Sequence, residues 1–245
     1  MIADIQTVTW KEWKELLLVR GSLRASLGSV LLNLAVFGVF LPWQFGLSWL
    51  DSLWTAFWVL FVASFWTTSV IADSFAGERE RHTLETLLAS RLSNRAILFG
   101  KYNAAVLYVA VQIFISLAAG LLVVNLAHVE EGFRFYRASV GITVLGAALL
   151  GPGLVAGIGI LISLRAPTAR QAQQTLVIPL TVVLILPSLA VLVVPADLQA
   201  RFFDWFVEAD VTTIALGVMV FLFLVDAALL AAAGRRFRRD RLILD

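Results

Sequence analysis

Residues 103–126 read NAAVLYVAVQIFISLAAGLLVVNL and contain no charged side chain. A bilayer core about 30 Å thick needs about 20 apolar residues in a helix that rises 1.5 Å per residue. The run is continuously apolar rather than alternating with period two, which favours a spanning helix over a barrel strand. This stretch therefore predicts an all-α membrane protein.

The rest of the chain repeats this pattern. Only 15% of the 245 residues are charged and 60% are hydrophobic, whereas an average soluble domain is about 25% charged. This composition excludes an ordinary cytosolic enzyme, a disordered chain and a nucleic-acid-binding domain. Cysteine is absent, which excludes thiolate zinc sites and cysteine nucleophiles. The six predicted transmembrane helices cover about 27–46, 52–73, 103–126, 138–163, 174–195 and 211–233.

Charge predicts the orientation of these spans. Sixteen of the 19 Lys and Arg residues fall on one side and three on the other. Because basic loops stay in the cytoplasm, we expect a multi-pass protein of the cell (inner) membrane with both termini cytoplasmic. The aromatic residues Trp43, Trp49 and Trp54 surround the first outer turn, where such rings contact membrane lipids. We predict one transmembrane domain over 1–245, with spans in 27–233 and a basic tail in 234–245.

The N-terminal residues 1–26 precede the first span. Trp10, Trp13, Leu16 and Leu17 recur at helical spacing among charged residues, and Thr9 with Glu12 fits a capping box. The pattern predicts an amphipathic helix in the cytoplasmic interface, and a plain membrane anchor is the alternative.

A cytoplasmic stretch of nearly thirty residues separates the second and third spans, where a hairpin needs far fewer. Leu84, Leu87 and Leu88 form an i, i+3, i+4 stripe, and Ser93 or Asn94 can cap the next helix. The stripe suits a socket on another protein or a helix that lies flat on the membrane. Charged residues surround it at Glu78, Arg79, Glu80, Arg81 and Glu85.

The stretch from Glu80 to Leu88, followed by Ser93 and by residues 97–101, resembles the signature loop of ABC-2-type permeases, the membrane subunits of type V ABC exporters. The family pattern is roughly E-R-x-x-G-T-L-E-x-L-L-x-x-P-x-S, then I-L-x-G-K. His82 stands where glycine is usual, and Arg91 where proline is usual. The six spans and the amphipathic N-terminal helix fit the same family.

This resemblance implies the permease of an ATP-driven exporter. Two permease subunits, identical or paralogous, would form the pathway, and two cytoplasmic ABC ATPase subunits would bind the helix at about 78–91. ATP and Mg would belong to those partners, because Gly100-Lys101 has Arg95 where a phosphate-binding loop needs glycine. This chain is therefore expected to be no enzyme and to hold no cofactor or metal. The expected docking residues are Glu78, Glu80, Arg81, Thr83, Leu84, Glu85, Leu87 and Leu88, with Glu80 and Glu85 as charged contacts and the leucines as an apolar anchor.

Asp226 is the only ionisable residue deep in a predicted span. Such a group is a functional candidate by default, although a structural ion pair is the preferred interpretation. A proton-coupled secondary transporter that uses Asp226 is one rival hypothesis. A scaffold that only recruits a partner through the 78–91 helix is another. The apolar spans favour a hydrophobic or amphipathic cargo.

Two further segments carry structural expectations. Gly153 and Gly157 form a G-x-x-x-G pair in the fourth span, which lets a neighbouring helix approach closely. Residues 197–210 suit a short amphipathic helix that dips into the outer leaflet, and the resemblance implies a re-entrant helix at that place.

Overall fold

The computed structural model describes residues 1–18, 28, 30–199, 201 and 211–237, and every regular element within these ranges is a helix. The predicted outer helix at 197–210 and the basic tail at 234–245 lie largely outside the described residues. The helices are α1 Ile2–Leu18, α2 Val30–Phe45, α3 Ser48–Asp51, α4 Trp54–Glu80, α5 Leu84–Ala89, α6 Asn94–Ala127, α7 Ala138–Ser163, α8 Ala169–Val193 and α9 Val211–Arg236.

The apolar runs form the long helices of this fold. Within the described ranges, four helices are long and apolar enough to cross a membrane, namely α4, α6, α7 and α9, and α2 is a shorter apolar helix. Helix α8 covers most of the predicted fifth span. An all-helical membrane protein is therefore confirmed, and the total of six crossings stays a prediction.

Helix α1 begins earlier than its sequence pattern suggests. It starts at Ile2, so Thr9 lies in the middle of the helix, where its hydroxyl donates to the carbonyl of Ile5 at 2.9 Å. The predicted capping box of Thr9 and Glu12 is wrong, because no residue between 2 and 8 interrupts the helix and the first turn forms further upstream. The Glu12 side chain instead makes a different contact, described below.

Helix α7 lies at the centre of the bundle, between α4 and α9. Its glycines explain the close approach. A Cβ added at Gly153 would lie 2.4 Å from Oδ2 of Asp226, and one added at Gly157 would lie 3.0 Å from Cβ of Leu229. Because both partners belong to α9, the predicted G-x-x-x-G pair is the contact surface for that helix.

The helix ends that carry most of the basic residues meet at one end of the bundle, hereafter the basic end. The Arg79 guanidinium reaches the carbonyl of Leu164 just past α7, and the Phe237 ring lies 5.4 Å from that of Phe75. The ends of α4, α7 and α9 and the start of α6 therefore surround one region, into which α1 also packs.

Candidate functional site

Helix α4 ends in a tight turn that sets the direction of α5. The Thr83 amide donates to the carbonyl of Glu78 at 2.9 Å, and the His82 amide donates to that of Arg79 at 3.1 Å. This pair of bonds defines a Schellman motif, whose reversal residue is usually glycine. His82 occupies it with φ of 56°, the one non-glycine residue with positive φ in the described part of the chain. The geometry explains why the family pattern has glycine here.

The predicted docking helix is shorter than expected, because residues 78–80 complete α4 and only Leu84–Ala89 form α5. Leu84 and Leu88 are buried in the core of this same chain, beside Leu16 and Phe75. Only Leu87 of the leucine stripe is partly exposed. In this structure the stripe therefore fastens α5 to its own domain, which leaves Leu84 and Leu88 little surface for a partner.

The outward side of α5 and its preceding turn is polar. Glu80, Thr83 and Glu85 are exposed, as is Arg81, whose guanidinium lies 3.3 Å from a carboxylate oxygen of Asp73. These four expected docking residues form one accessible surface, hereafter the coupling surface. Docking itself stays a prediction.

Arg79 fixes the neighbouring end of α7. Its guanidinium donates to the backbone carbonyls of Leu164 and Ala166. A cation at a helix C-terminus also interacts favourably with the helix dipole. Arg79 thus ties the turn before α5 to the central helix of the bundle.

Lys101 lies at the buried centre of a cluster of charges, hereafter the charge junction, made of Lys11, Glu12, Glu78 and Lys101. The Lys101 side chain has no exposed surface, and its Nζ lies 2.8 Å from Glu12 and 3.0 Å from Glu78. It also donates to the carbonyl of Ser74 at 2.7 Å. All three ammonium hydrogens therefore have acceptors, which is what a buried lysine requires.

Lys11 closes the junction from α1. Its Nζ lies 3.2 Å from Glu12 and 3.1 Å from Oε1 of Glu78. Burial raises the pKa of Glu12, but Lys101 and Lys11 outweigh it and hold that pKa below its usual value. Burial likewise lowers the pKa of Lys11, and Glu12 and Glu78 outweigh it to give a net increase. The junction thus joins α1, α4 and α6, and Lys11 also pairs with Glu15 of α1 at 3.0 Å.

Helix α1 fits closely against the start of α6 beside this junction. A Cβ at Gly100 would lie 2.5 Å from the Val8 side chain, so only glycine permits the approach. The Thr9 hydroxyl reaches the Gly100 carbonyl at 3.2 Å, and the Trp13 indole donates to that of Ala104 at 3.1 Å. The start of α6 is itself capped by Ser93, as predicted, through a 3.2 Å bond from the Ala96 amide.

The sequence patterns did not identify the charge junction. Glu78 was expected on a docking surface, yet its side chain is only 4% exposed. Lys101 was considered for a phosphate-binding loop, which Arg95 excludes. The sequence shows only a lysine next to a glycine at the start of an apolar run. The two glutamates that contact this lysine lie far away in the sequence. Spacing cannot pair such residues, whereas the family pattern does contain both the E-R that matches Glu78-Arg79 and the G-K that matches Gly100-Lys101.

Asp226 is buried away from this site, on α9 against α7. It is 5% exposed, and its Oδ1 has no hydrogen-bond partner. Among the residues that the structure describes, no ion pair involves Asp226, so the preferred structural pairing is not observed. The nearest polar neighbour at the Gly153 contact is the Tyr102 hydroxyl, which would lie 2.8 Å from the same added Cβ.

No group of three or more His, Cys, Asp or Glu residues that could hold a metal ion occurs within the described ranges.

Residues 58–203, more than half of the chain, match the family model described as ABC-2 family transporter protein. The matched region begins in α4 and contains α5, Glu78, Arg79 and Lys101, and it leaves α1 outside. A search of curated proteins finds no match.

Proposed function

Because the chain belongs to the ABC-2 family of transporter proteins, we propose that it is the membrane permease subunit of an ATP-driven ABC exporter. It is a multi-pass membrane protein with the helices that a translocation component needs. In this proposal two permease subunits, identical or paralogous, form the pathway between them. Separate ATPase subunits with bound ATP and Mg lie beneath the basic end, in the cytoplasm.

The observation that carries this proposal is the way α5 is held. Its coupling surface points outward while Leu84 and Leu88 pack inward, so a force on the surface acts on a helix fastened to the bundle. Glu78 and Arg79, at the turn before α5, connect it to α1, α6 and α7 through the charge junction and the end of α7. A push from an ATPase therefore reaches three membrane-associated helices at once.

These contacts revise the docking hypothesis. We propose Glu80, Arg81, Thr83 and Glu85 as the residues that contact the ATPase. Glu78, Leu84 and Leu88 act as positioning residues that hold α5. The cargo is proposed to be hydrophobic or amphipathic because the long helices are apolar. In the described part of α9, Asp226 is the one buried carboxylate.

A pull-down from the native host tests the proposal. The tagged chain should recover a near-stoichiometric ATPase that carries a phosphate-binding loop, identified by mass spectrometry. Glu85→Lys reverses a charge on the coupling surface and should abolish recovery. Glu130→Lys makes the same change at an exposed site at the opposite end of α6 and should not. Recovery of no ATPase, or an equal loss with both variants, would contradict the proposal.

The unpaired Oδ1 of Asp226 favours one second candidate, a proton-coupled carrier. That function requires transport that stops with a protonophore and with Asp226→Asn and that continues without ATP. An exporter whose transport needs ATP and survives Asp226→Asn excludes this candidate.

A further inference from the structure

The last residue of α7 reaches the backbone of α4. Ser163 is completely buried, and its hydroxyl donates to the carbonyl of Ala72 at 3.0 Å. The same hydroxyl accepts from the amides of Phe75 and Ala76 at 3.1 and 2.9 Å. In a regular α-helix the amide of residue 76 donates to the carbonyl of residue 72. The Ser163 hydroxyl therefore contacts both partners of one backbone hydrogen bond of α4, hereafter the bridged step.

A glycine of α7 permits this close approach. A Cβ added at Gly159, one turn before Ser163, would lie 2.2 Å from the Ile71 side chain. The backbone of α7 thereby comes near enough to α4 for a short side chain to reach the hydrogen-bond ladder. A side chain that inserts into the ladder is a recognised cause of a bend in a helix. The bridged step is therefore a place where α4 can change its direction.

The opposite face of α4 borders open space at this level. Ser74 and Glu78 line a cavity of about 880 Å³ between α1, α4, α5 and α6. Successive residues of an α-helix lie about 100° apart, which places these two on the side of α4 that faces away from Ser163. Glu78 is held there by the long side chains of Lys11 and Lys101, which can follow a movement of the carboxylate. The end of α4 therefore has room to move.

We propose that Ser163 is a positioning residue that makes the bridged step a hinge of α4. Beyond the hinge lie Glu78, Arg79 and the turn that leads to α5, and before it lies the membrane-spanning part of α4. When α4 bends and the direct bond between residues 72 and 76 lengthens, the hydroxyl still accepts from the amide and donates to the carbonyl. Neither buried backbone group then loses its partner.

The inference rests on the proposed function, because it states how a push on the coupling surface changes the angle of a membrane helix. The hinge itself belongs to the permease, so it can be measured without an ATPase.

Hydrogen–deuterium exchange of the full chain in phosphatidylcholine nanodiscs tests the hinge. Ser163→Ala removes the hydroxyl, so that opening of the bridged step would leave a buried amide and a buried carbonyl unpaired. The direct bond between residues 72 and 76 should then stay closed. We expect the amides of Phe75 and Ala76 to exchange about tenfold more slowly than in the natural chain, because pairing a buried backbone group is worth about that factor. Mass spectrometry with fragmentation to single residues measures both amides.

A purely structural role of Ser163 predicts the opposite result. If its hydroxyl only supplied an acceptor to the two amides, its removal would speed their exchange. Ser163→Thr keeps a hydroxyl at this position and should restore the natural rate. Thr143→Ala is the matched control, because it removes a hydroxyl of α7 that donates to the Ser139 carbonyl of the same helix at 2.8 Å. This control should leave both amides unchanged.

The exchange rates decide the hinge. Faster or unchanged exchange in Ser163→Ala, equal slowing in Thr143→Ala, or a Ser163→Thr chain that exchanges like Ser163→Ala would each overturn it.

The ATPase pull-down separates this result from the proposed function. Ser163 is buried away from the coupling surface, so the Ser163→Ala chain should recover as much ATPase as the natural chain. Loss of the ATPase from Ser163→Ala alone would overturn the positioning role, because the residue would then shape the docking surface itself. Absence of an ATPase from the natural chain contradicts the proposed function instead.

Discussion

The charge junction makes a sharp prediction about Lys101. Lys101→Met keeps the length and apolar stem of the side chain but removes the ammonium group. Glu12 and Glu78 would then share Lys11, which also pairs with Glu15, so negative charge around the buried Glu78 would be left uncompensated. Removing one partner from a buried ion pair costs about 3–5 kcal/mol. We expect the free energy of unfolding to fall by about 3 kcal/mol, the lower end of that range, because Lys11 remains.

The double variant tests whether the Lys101–Glu78 ion pair is the cause. Glu78→Gln alone removes one of the two anions that contact Lys101, and Glu78→Gln with Lys101→Met removes both members of that pair. We expect the double variant to be more stable than the sum of the two single effects by about 2 kcal/mol, as for residues in direct contact. Arg95→Met, an exposed cation of the same helix, is the control and should change stability by less than about 0.5 kcal/mol.

Unfolding in mixed micelles, with denaturing detergent as the titrant, measures these differences. Strict additivity of the two single variants would refute the coupling between Lys101 and Glu78. So would a Lys101→Met protein as stable as the Arg95→Met control.

Three further outcomes are expected. His82→Gly should raise the melting temperature, because the left-handed conformation costs a non-glycine residue about 1–2 kcal/mol, and an unchanged or lower value would contradict the assignment of the turn. Gly153→Ala should destabilise the protein by about 1–3 kcal/mol, since the added methyl group meets Asp226, whereas Gly217→Ala, with open space at its Cβ, should not destabilise it in the same unfolding titration. Burial raises the pKa of Glu12, but its lysine partners outweigh this and hold it below the ordinary 4.5. Its contribution to stability should therefore be complete above pH 4.5 and be lost as the pH falls through the lower folded-state pKa. A Glu12→Gln protein that shows the same acid-side loss as the natural chain would count against this interpretation.

Short sequence patterns predicted the parts of this fold that are determined by residues close together in the sequence. The charge-free run at 103–126 lies within α6, and the Ser93 side chain caps that helix as its sequence position indicates. The pair Gly153 and Gly157 predicted a close helix contact, which α9 provides. Each of these features requires information from only a few neighbouring residues.

The parts that sequence patterns missed depend on which helices meet. A leucine stripe indicates an apolar face but not its partner, and Leu84 and Leu88 face the core of this chain rather than another protein. Lys101 finds its anions on α1 and on the end of α4, which no spacing rule connects. The four-residue capping box at Thr9 predicted a helix start at that position, but the helix begins at Ile2 and continues through Thr9.

The geometry of helix α2 also depends on its contact with a neighbouring helix. Residues Leu34–Phe40 form a π-helical stretch just before Pro42. Proline lacks the amide hydrogen that would bind four residues back, and wider π turns occur where the regular ladder is interrupted. Gly38 lies within this stretch, where an added Cβ would be 3.2 Å from that of Ala119. The contact with α6 therefore accompanies the irregular turn.

Cross-linking from the coupling surface tests the central claim most directly. The chain contains no cysteine, so Glu85→Cys introduces a single thiol on the surface proposed to meet the ATPase. In membranes of the native host, a short thiol-to-amine cross-linker should join this residue to a chain that carries a phosphate-binding loop, and Glu130→Cys should give no such product. Equal cross-linking of the ATPase by both variants, or none by Glu85→Cys, would contradict the account.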